Sequence, residues 1–420
     1  MLREDQLPKN VVSRLAAFAI VAFTFFLTPF APAEAGALSP VLTYVVDRLT
    51  DANHIGGGQG SGLTGDLRYA ITNAQSGDSI TFSVSGTINL SAPLPNLNRN
   101  ISIQGPGANS LTVNGAGGQV TLVASGATVE ISGMTITGGV GNGSGVFNAG
   151  TLTLNGVNVS GNTAGDPTNG GGTGPGIWNY LNATLHLNNS TVSGNSAIGN
   201  LSYNPSRGAG IANYGSLTLN GSTVSGNSAS GGFGGGIHNI GTLTATNSTI
   251  SGNSASSGGG IYTSHGTTAL TNVTISGNTA SIGGGIYNYD APATLMYLKN
   301  TMITNSPSGG NCGGKAFASS QSSLSSDATC ALGGVGDQNR VNPMLTALAN
   351  FGGPTLVHML RYGSPAIDGV VGSDAPASDQ RGYPRPQGMG YDIGSVERRP
   401  ADPDPPPTSP KGIYIPLIIK

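Results

Sequence analysis

Ser160-Gly161-Asn162 is the first of five copies of one phrase, each preceded by alternating apolar residues. The glycines of successive copies lie 33, 32, 26 and 25 residues apart. Such spacing is typical of a solenoid whose coils share a core length and carry loop insertions. The phrase therefore predicts a coiled repeat in the middle of the chain. Its other copies are Ser193-Gly194-Asn195, Ser225-Gly226-Asn227, Ser251-Gly252-Asn253 and Ser276-Gly277-Asn278.

A second phrase recurs once in each repeat together with the first. It has the form Gly, then Val or Ile, then a variable residue, then usually Asn. A third apolar run, such as Leu152-Thr153-Leu154, lies between them. Alternation with period two is typical of strands with one buried face, and the abundant Gly, Ser, Thr and Asn disfavour helix. Each period therefore holds three strands. The second phrase occupies residues 145–148, 176–179, 210–213, 236–239, 260–263 and 285–288.

These patterns predict an all-β protein, a right-handed parallel β-helix solenoid with three strands per coil and about nine to eleven coils. Val159 and Val146 begin two columns of inward aliphatic residues. We expect the asparagines of the first phrase to stack as an amide ladder, with the preceding glycines supplying a positive φ. The ladder would consist of Asn162, Asn195, Asn227, Asn253 and Asn278.

Charge is scarce in this chain of 420 residues, of which 69 are glycine and 9% are charged. The net charge is −2, and residues 101–289 contain only Glu130, Asp166 and Arg207 as charged groups. A surface that binds nucleic acid needs clustered Lys and Arg residues. This composition therefore excludes a nucleic-acid partner.

The first 35 residues have the form of a secretory signal peptide. Three basic residues precede a mostly apolar stretch over 15–27, and Ala33-Glu34-Ala35 has the small-x-small pattern of a cleavage site. A membrane anchor is the weaker alternative, because the stretch is short of a span and Pro29 follows it. We expect an exported protein, extracellular or at the cell surface.

Export into oxidising conditions favours a disulfide between Cys312 and Cys330, the two cysteines of the chain. A metal site is the poorer alternative, because two cysteine sulfurs without a nearby histidine supply only two of the four ligands that zinc needs.

The expected organisation after the signal peptide is an N-terminal cap over 36–78, the solenoid over 79–341 and a C-terminal capping module over 342–398. A Pro-rich linker and short apolar tail occupy 399–420, and the tail either docks as an edge strand or serves as a sorting tag. The cap contains a helical pattern capped by Thr64 or Asp66. Its apolar face, formed by Leu67, Ala70, Ile71 and Ala74, would cover the open end of the solenoid.

The C-terminal motifs resemble a known family. Phe351-Gly352-Gly353-Pro354-Thr355, Gly363-Ser364-Pro365-Ala366-Ile367-Asp368 and Asp379-Gln380-Arg381-Gly382 follow the motif order of the choice-of-anchor (Q-type) module of exported bacterial right-handed parallel β-helix repeat proteins. Likeness to polymorphic outer-membrane and adhesin-type proteins is looser. The resemblance implies surface attachment or adhesion. It therefore indicates where the protein is located better than which reaction or ligand it has.

The same fold also supports polysaccharide lyases and glycoside hydrolases, so such an enzyme is the alternative function. These enzymes need several Ca²⁺-binding carboxylates, a Lys or Arg base, or a carboxylate pair on one face. Asp166 and Arg207 lie in inserted loops at different offsets, and we interpret them as a turn former and a loop charge. No catalytic residue is assigned.

The histidines do not supply a catalytic column either. His186, His238 and His265 occupy different offsets in the repeat and are expected at the surface. His358 is expected to be a packed residue.

Charged residues cluster only in the C-terminal module, where we expect structural ion pairs. Ca²⁺ bound by Asp368, Asp379 and Asp392 is the lesser alternative, and no other cofactor is expected. Outward hydroxyl groups recur at the coil spacing and would form a flat ladder that could bind ordered water or ice. The alternative is that Thr is simply favoured at exposed strand positions. The ladder would consist of Thr191/Ser193, Thr223/Ser225, Thr249/Ser251 and Thr274/Ser276.

We therefore predict a secreted or cell-surface scaffold, adhesin-like and non-enzymatic, that binds glycans or another surface. Two long inserted loops, 165–174 and 198–207, are expected at one edge of the solenoid. The aromatic residues beside them are the best candidates for stacking against a ligand. The binding candidates are Trp178, Tyr180, Tyr203 and Arg207.

Overall fold

Successive copies of the repeat lie directly above one another, because equivalent residues pair in parallel register. Val159 pairs with Val192, and Val192 pairs with Val224. The computed structural model describes residues 40–166, 171–202 and 204–402. Within these ranges all pairings between strands are parallel except one short hairpin, Gly60–Ser61 with Thr64–Gly65. The predicted right-handed parallel β-helix is confirmed.

Two ladders merge in two long strands, Thr242–Ser251 and Thr267–Ser276, and form a 22-stranded sheet together with the two strands of the short hairpin. The first ladder has eleven strands in the described part of the chain, at the upper end of the predicted coil number. It runs Thr43–Val46, Ser79–Phe82, Ile101–Gln104, Thr128–Ser132, Thr151–Asn155, Thr184–Asn188, Ser216–Asn220, the two long strands, Leu295–Lys299 and Ser319–Gln321. The second runs Gly86–Asn89, Leu111–Asn114, Thr135–Thr137, Asn158–Ser160, Thr191–Ser193, Thr223–Ser225, the two long strands, Met302–Thr304, Leu324–Ser325 and Gln338–Asn339.

A third ladder is a separate eight-stranded sheet, which completes the three strands per coil. Its strands are Thr121–Val123, Val146–Asn148, Ile177–Asn179, Ile211–Asn213, Ile237–Asn239, Ile261–Thr263, Ile286–Asn288 and Cys312–Gly314. A five-stranded sheet forms where the coils carry insertions, a feature that the repeat did not predict. It contains Thr163–Ala164, Ser196–Ile198, Ser206–Arg207, Ser228–Phe233 and Ser254–Ser257.

The inside of the coils is a continuous aliphatic core. Val159, Ile177 and Ile250 are fully buried, as both predicted columns require. At the turn after the second ladder, the five predicted asparagines form the amide ladder, each Nδ2 donating to the next Oδ1 over 2.9 Å. The glycine before each asparagine has φ between 62° and 67°. The first phrase is therefore a turn and ladder element.

The single helix in the described ranges, Leu67–Asn73, packs on the N-terminal end of this core. Its N-cap is Asp66, whose carboxylate accepts a hydrogen bond from the Tyr69 backbone N–H over 2.8 Å. All four predicted apolar residues of the cap are buried. Arg68 is also buried and donates two hydrogen bonds to Asp51, which the apolar pattern did not predict.

The C-terminal end of the core is closed by the predicted disulfide. Cys312 and Cys330 are bonded, with Cα atoms 4.8 Å apart, and both join the main hydrophobic core. A loop of this size, with the two cysteines 18 residues apart, contributes about 3 kcal/mol in the chain-entropy account.

The segment 342–402 lies along the outer face of the second ladder. Gln380 donates to Thr223 Oγ1 over 3.0 Å and accepts from Thr249 Oγ1 over 2.6 Å, while Ser395 N–H donates to Thr274 Oγ1 over 2.9 Å. A second small hydrophobic core forms beneath the segment, where Met302 and Leu324 contact Leu360, Ala366, Val370 and Ile393. The module therefore covers a flank that spans several coils.

This docking corrects the prediction of an exposed hydroxyl ladder. Thr223, Thr249 and Thr274 do point outward, but the C-terminal segment buries all three. Only the Thr191/Ser193 pair of that column stays half-buried. The predicted flat face for water or ice is thus largely an internal interface, because the sequence pattern of an outward hydroxyl is the same whether or not another segment covers it.

The predicted signal peptide, the apolar tail beyond residue 402 and Tyr203 lie outside the described residues. Among the residues that the structure describes, no helix is long and apolar enough to cross a membrane.

Candidate functional site

The outer face of the eight-stranded sheet carries a column of aromatic side chains. Each three-residue strand buries its first residue and directs its middle residue outward, so the variable position of the second phrase forms the column. Parallel register aligns these positions from coil to coil. The column is Phe147, Trp178, Ala212, His238, Tyr262 and Tyr287.

Rings from both edges widen this column. We call the whole set the aromatic strip. Tyr180 lies 5.7 Å from Trp178 between ring centroids, and Phe233 lies 4.8 Å from Tyr262. The strip consists of Phe147, Trp178, Tyr180, Tyr214, Phe233, His238, Tyr262, Tyr287 and Tyr289.

The two halves of the aromatic strip differ in ring geometry. Tyr262 and Tyr287 are stacked at 5.3 Å with 10° between their planes, so each covers a face of the other. Phe147 and Trp178 meet edge to face, at 5.2 Å and 84°. Tyr180 beside them is 45% exposed. At the other end of the strip Tyr289, whose ring centroid lies 6.3 Å from that of Tyr262, is 44% exposed. Both ends of the strip therefore offer ring surface to a ligand.

A second asparagine ladder supports the strip from inside the turn. The Nδ2 atoms of Asn148, Asn179 and Asn213 donate to the next Oδ1 over 2.7–2.8 Å, and the series ends at Asn239. The sequence carried the signal, since Asn ends most copies of the second phrase, but only the first ladder was predicted. These amide hydrogen bonds fix the spacing between the ends of successive strands, and therefore also the spacing between the rings that the strands carry.

His238 was predicted at the surface, and that prediction is wrong. Its side chain is only 3% exposed and contacts the rings of Tyr214, Phe233 and Tyr262. Burial lowers its pKa to about 3, with smaller contributions from the charges of Arg207 and His265. The imidazole is therefore neutral at physiological pH. The error arose because the neighbouring rings come from other coils and from an insertion.

Arg207 comes to the same face from the inserted loop. The strand Ser206–Arg207 pairs with the strand Ser228–Phe233, which places Arg207 opposite Phe233. Its charge lowers the pKa of His238 and acts in the same direction on Tyr214, although burial leaves the pKa of Tyr214 raised. Trp178 and Tyr180 thus lie within the aromatic strip, and Arg207 lies beside its member Phe233; their role as binding residues stays a prediction.

The charged residues of the C-terminal module form buried ion pairs, as predicted. Arg385 contacts Glu397 over 2.7 Å, and Arg381 contacts Asp379 over 2.9 Å, with every one of these side chains fully buried. Arg381 also contacts Asp402 over 3.2 Å. The network lies within the module and stabilises its fold against the coils.

The three calcium candidates lie in or beside this network. Asp379 accepts from the backbone N–H groups of Arg381, Tyr383 and Glu397, and Asp392 accepts from Asp368 N–H over 2.8 Å. Asp368 accepts from Gly390 N–H. Across the described ranges, no group of three or more His, Cys, Asp or Glu residues is arranged to hold a metal ion.

His358 is packed, as predicted. Its Nε2 lies 2.8 Å from Ser251 Oγ and its Nδ1 lies 2.8 Å from the Thr346 carbonyl oxygen. Burial lowers its pKa from the ordinary value. This imidazole joins the module to the coils.

Asp392 gives the module a dependence on pH. Burial and the charge of Glu397 raise its pKa from 3.8 to about 7. The native carboxyl binds its proton more tightly than the unfolded one, so its contribution to the free energy of unfolding is present at acidic pH and is lost as pH rises from about 4 to about 7. The buried histidines have lowered pKa values, so their contribution to the free energy of unfolding changes with pH in the opposite direction. The effect of Asp392 must therefore be measured as the difference in stability between the wild type and a variant.

Urea unfolding of Asp392→Asn and the wild type across this pH range measures the difference. We expect the variant to gain stability relative to the wild type as pH rises, with a slope approaching about 1.4 kcal/mol per pH unit. Asp374→Asn, whose carboxylate is 84% exposed, is the matched control and should show no such slope. Parallel curves for Asp392→Asn and the wild type would contradict the raised pKa.

No family model matches the chain, and no curated protein matches it. Among solved structures it is similar to a pectate lyase, Pel9A, with a TM-score of 0.44 and 13% identity over 86% of this chain and 98% of that one. It is also similar to a PL6 family alginate lyase, AlyGC, with a TM-score of 0.32 and 11% identity over 85% of this chain. The match spans 58% of the alginate lyase chain.

Proposed function

We propose that this protein is an exported surface scaffold that binds glycans on the aromatic strip. The observation that carries the proposal is the row of rings on a face almost free of charge, in which Tyr180 is 45% exposed beside the half-buried ring of Trp178. Aromatic faces pack against the apolar C–H faces of sugars, while phenolic and indole groups hydrogen-bond to hydroxyls. Regular coils present such contacts along one line, which suits an extended polysaccharide.

The C-terminal module supports the location at the cell surface. Its motif order resembles choice-of-anchor modules, and its buried Arg–carboxylate network makes it a stable unit on the flank of the solenoid. We therefore place the protein at the cell envelope, with the aromatic strip as the adhesive face.

Polysaccharide cleavage, as by a lyase or hydrolase, is the rival function, and the chemistry of the strip favours binding. A general base works best with a pKa near the operating pH. The pKa of His238 is lowered to about 3, and burial raises the pKa of Tyr262 to about 12. Neither group is poised for proton transfer at neutral pH.

A glycan array probed with the mature protein, followed by calorimetry on the best ligand, tests the proposal. We expect Trp178→Ala to weaken binding by about tenfold or more, because an aromatic anchor is lost. Trp178→Phe keeps a ring and should retain more affinity. Tyr297→Ala removes a partly exposed ring from the first ladder and should bind like the wild type.

A screen for polysaccharide depolymerisation on the same ligands separates the two functions. Release of unsaturated or reducing ends would replace the binding proposal with an enzyme. Equal affinity of Trp178→Ala and wild type, with unchanged thermal unfolding, would remove the aromatic strip as the binding surface.

A further inference from the structure

Arg207 is half-buried, and none of the described carboxylates forms an ion pair with its guanidinium. Its guanidinium donates one long hydrogen bond, over 3.5 Å, to the Pro205 carbonyl oxygen, two residues away in the same loop. The fully buried arginines Arg68 and Arg385 contact carboxylates directly. Arg99, which is half-buried like Arg207, donates to the carbonyl oxygens of Ala74 and Thr72 over 2.8 and 3.1 Å. Arg207 differs from all three in having only a single, long hydrogen bond among the described residues.

Two further polar groups of the aromatic strip lack partners. Trp178 Nε1 and His238 Nδ1 are buried and make no hydrogen bond within the described residues. The His238 side chain is more than nine-tenths buried. Buried donors and acceptors are usually satisfied, and leaving one unpaired costs free energy. Trp178 and His238 lie on either side of Ala212 in the ring column, so both unpaired atoms belong to the same part of the strip.

The position of Arg207 relates to a gap in the ring column. Ala212 replaces a ring between Trp178 and His238. Tyr214 reaches both neighbours from one edge, with ring centroids 6.1 Å from Trp178 and 6.3 Å from His238. Arg207 approaches from the edge that carries the inserted loop, near enough for its charge to act on Tyr214 and His238. One cation thus lies beside Phe233, at an edge of the strip.

We propose that Arg207 forms a subsite for the carboxylate of an acidic sugar within a glycan bound on the aromatic strip. The inference rests on the proposed glycan binding and adds its charge specificity. A guanidinium holds a carboxylate through two parallel N–H···O bonds, and neighbouring rings exclude water from such a pair. A single cation pairs with one carboxylate, so the subsite selects one charged sugar at one position of the bound glycan.

Calorimetry with an oligogalacturonate and its methyl-esterified form tests the subsite, because esterification removes the charge of each carboxylate and leaves the sugar rings and their linkages unchanged. The wild type should prefer the acid form, and Arg207→Gln should lose about tenfold to a hundredfold in affinity for it while its affinity for the ester stays unchanged. Arg207→Lys keeps the positive charge but lacks the planar guanidinium that donates two parallel hydrogen bonds. It should recover part of the preference for the acid form over the ester. Arg340→Gln, at an exposed turn, should leave both affinities unchanged.

The outcomes separate this inference from the proposed function. If the wild type binds both probes equally, or if Arg207→Gln lowers both affinities to the same extent, the acidic subsite is overturned while glycan binding stands. If the wild type binds no glycan on the array, or if Trp178→Ala binds as tightly as the wild type, both are overturned. Thermal unfolding of each variant identifies any loss that is due to misfolding.

Discussion

Replacing Asn227 by alanine lowers the expected free energy of unfolding by about 3–5 kcal/mol. Its side chain makes four hydrogen bonds inside the turn. Nδ2 donates to Asn253 Oδ1 over 2.9 Å and to the Val192 carbonyl oxygen over 3.0 Å, and Oδ1 accepts from the Nδ2 and N atoms of Asn195. Alanine leaves these partners buried and unpaired, and each such loss costs about 1–3 kcal/mol.

Urea denaturation checks this effect, because a pure change in stability shifts the midpoint without changing the slope. Asn109→Ala is the matched control, since Asn109 is exposed in a turn and its side chain makes no hydrogen bond among the described residues. Indistinguishable midpoints for Asn227→Ala and Asn109→Ala would show that the amide ladder does not stabilise the stack.

Replacing Arg385 by methionine should destabilise the C-terminal module by about 3–5 kcal/mol. The substitution leaves Glu397 buried without its cation, and burying an unpaired charge is costly. Glu397 also accepts from the backbone N–H groups of Gln387 and Asp392, so the local backbone loses its support. We expect the module to loosen and to expose Met302 and Leu324 beneath it.

Hydrogen exchange locates the effect. The amides of Glu397 and Gly394, which are bonded within the module and to Asn300, should exchange faster, while amides of the distant coils keep their protection. Arg48→Met, which breaks an exposed pair with Asp47, is the matched control and should change nothing measurable. A double replacement of Arg385 and Glu397 by apolar residues should recover part of the loss. Unchanged exchange in Arg385→Met would contradict a stabilising role for the pair.

The elements that the sequence predicted well are those in which one coil repeats the next. Asn162 and Val159 recur at the coil spacing, so a local pattern also specifies the contact between coils. Asp66 could be identified as a helix cap because a cap acts within three residues. The Cys312–Cys330 bond followed from cysteine number and compartment.

The candidate site was predicted only in part. Trp178, Tyr180 and Arg207 were singled out by residue type and by their place beside inserted loops. The second asparagine ladder and the burial of His238 were missed, because both depend on which residues of other coils and insertions lie beside them. Whether a guanidinium has a carboxylate partner likewise depends on the folded loop.

By itself the sequence determined the β-helix, its inward columns, its first amide ladder and its end closures, because each of these is set by short-range pattern and exact repetition. Tertiary structure alone decided that the module covers the outer hydroxyls at Thr223 and Thr249, and that Arg207 meets the aromatic strip. The contact between Thr223 and Gln380 joins residues 157 positions apart in the chain. No periodicity connects them, so their meeting depends on complementary shape and hydrogen bonding after the coils have formed.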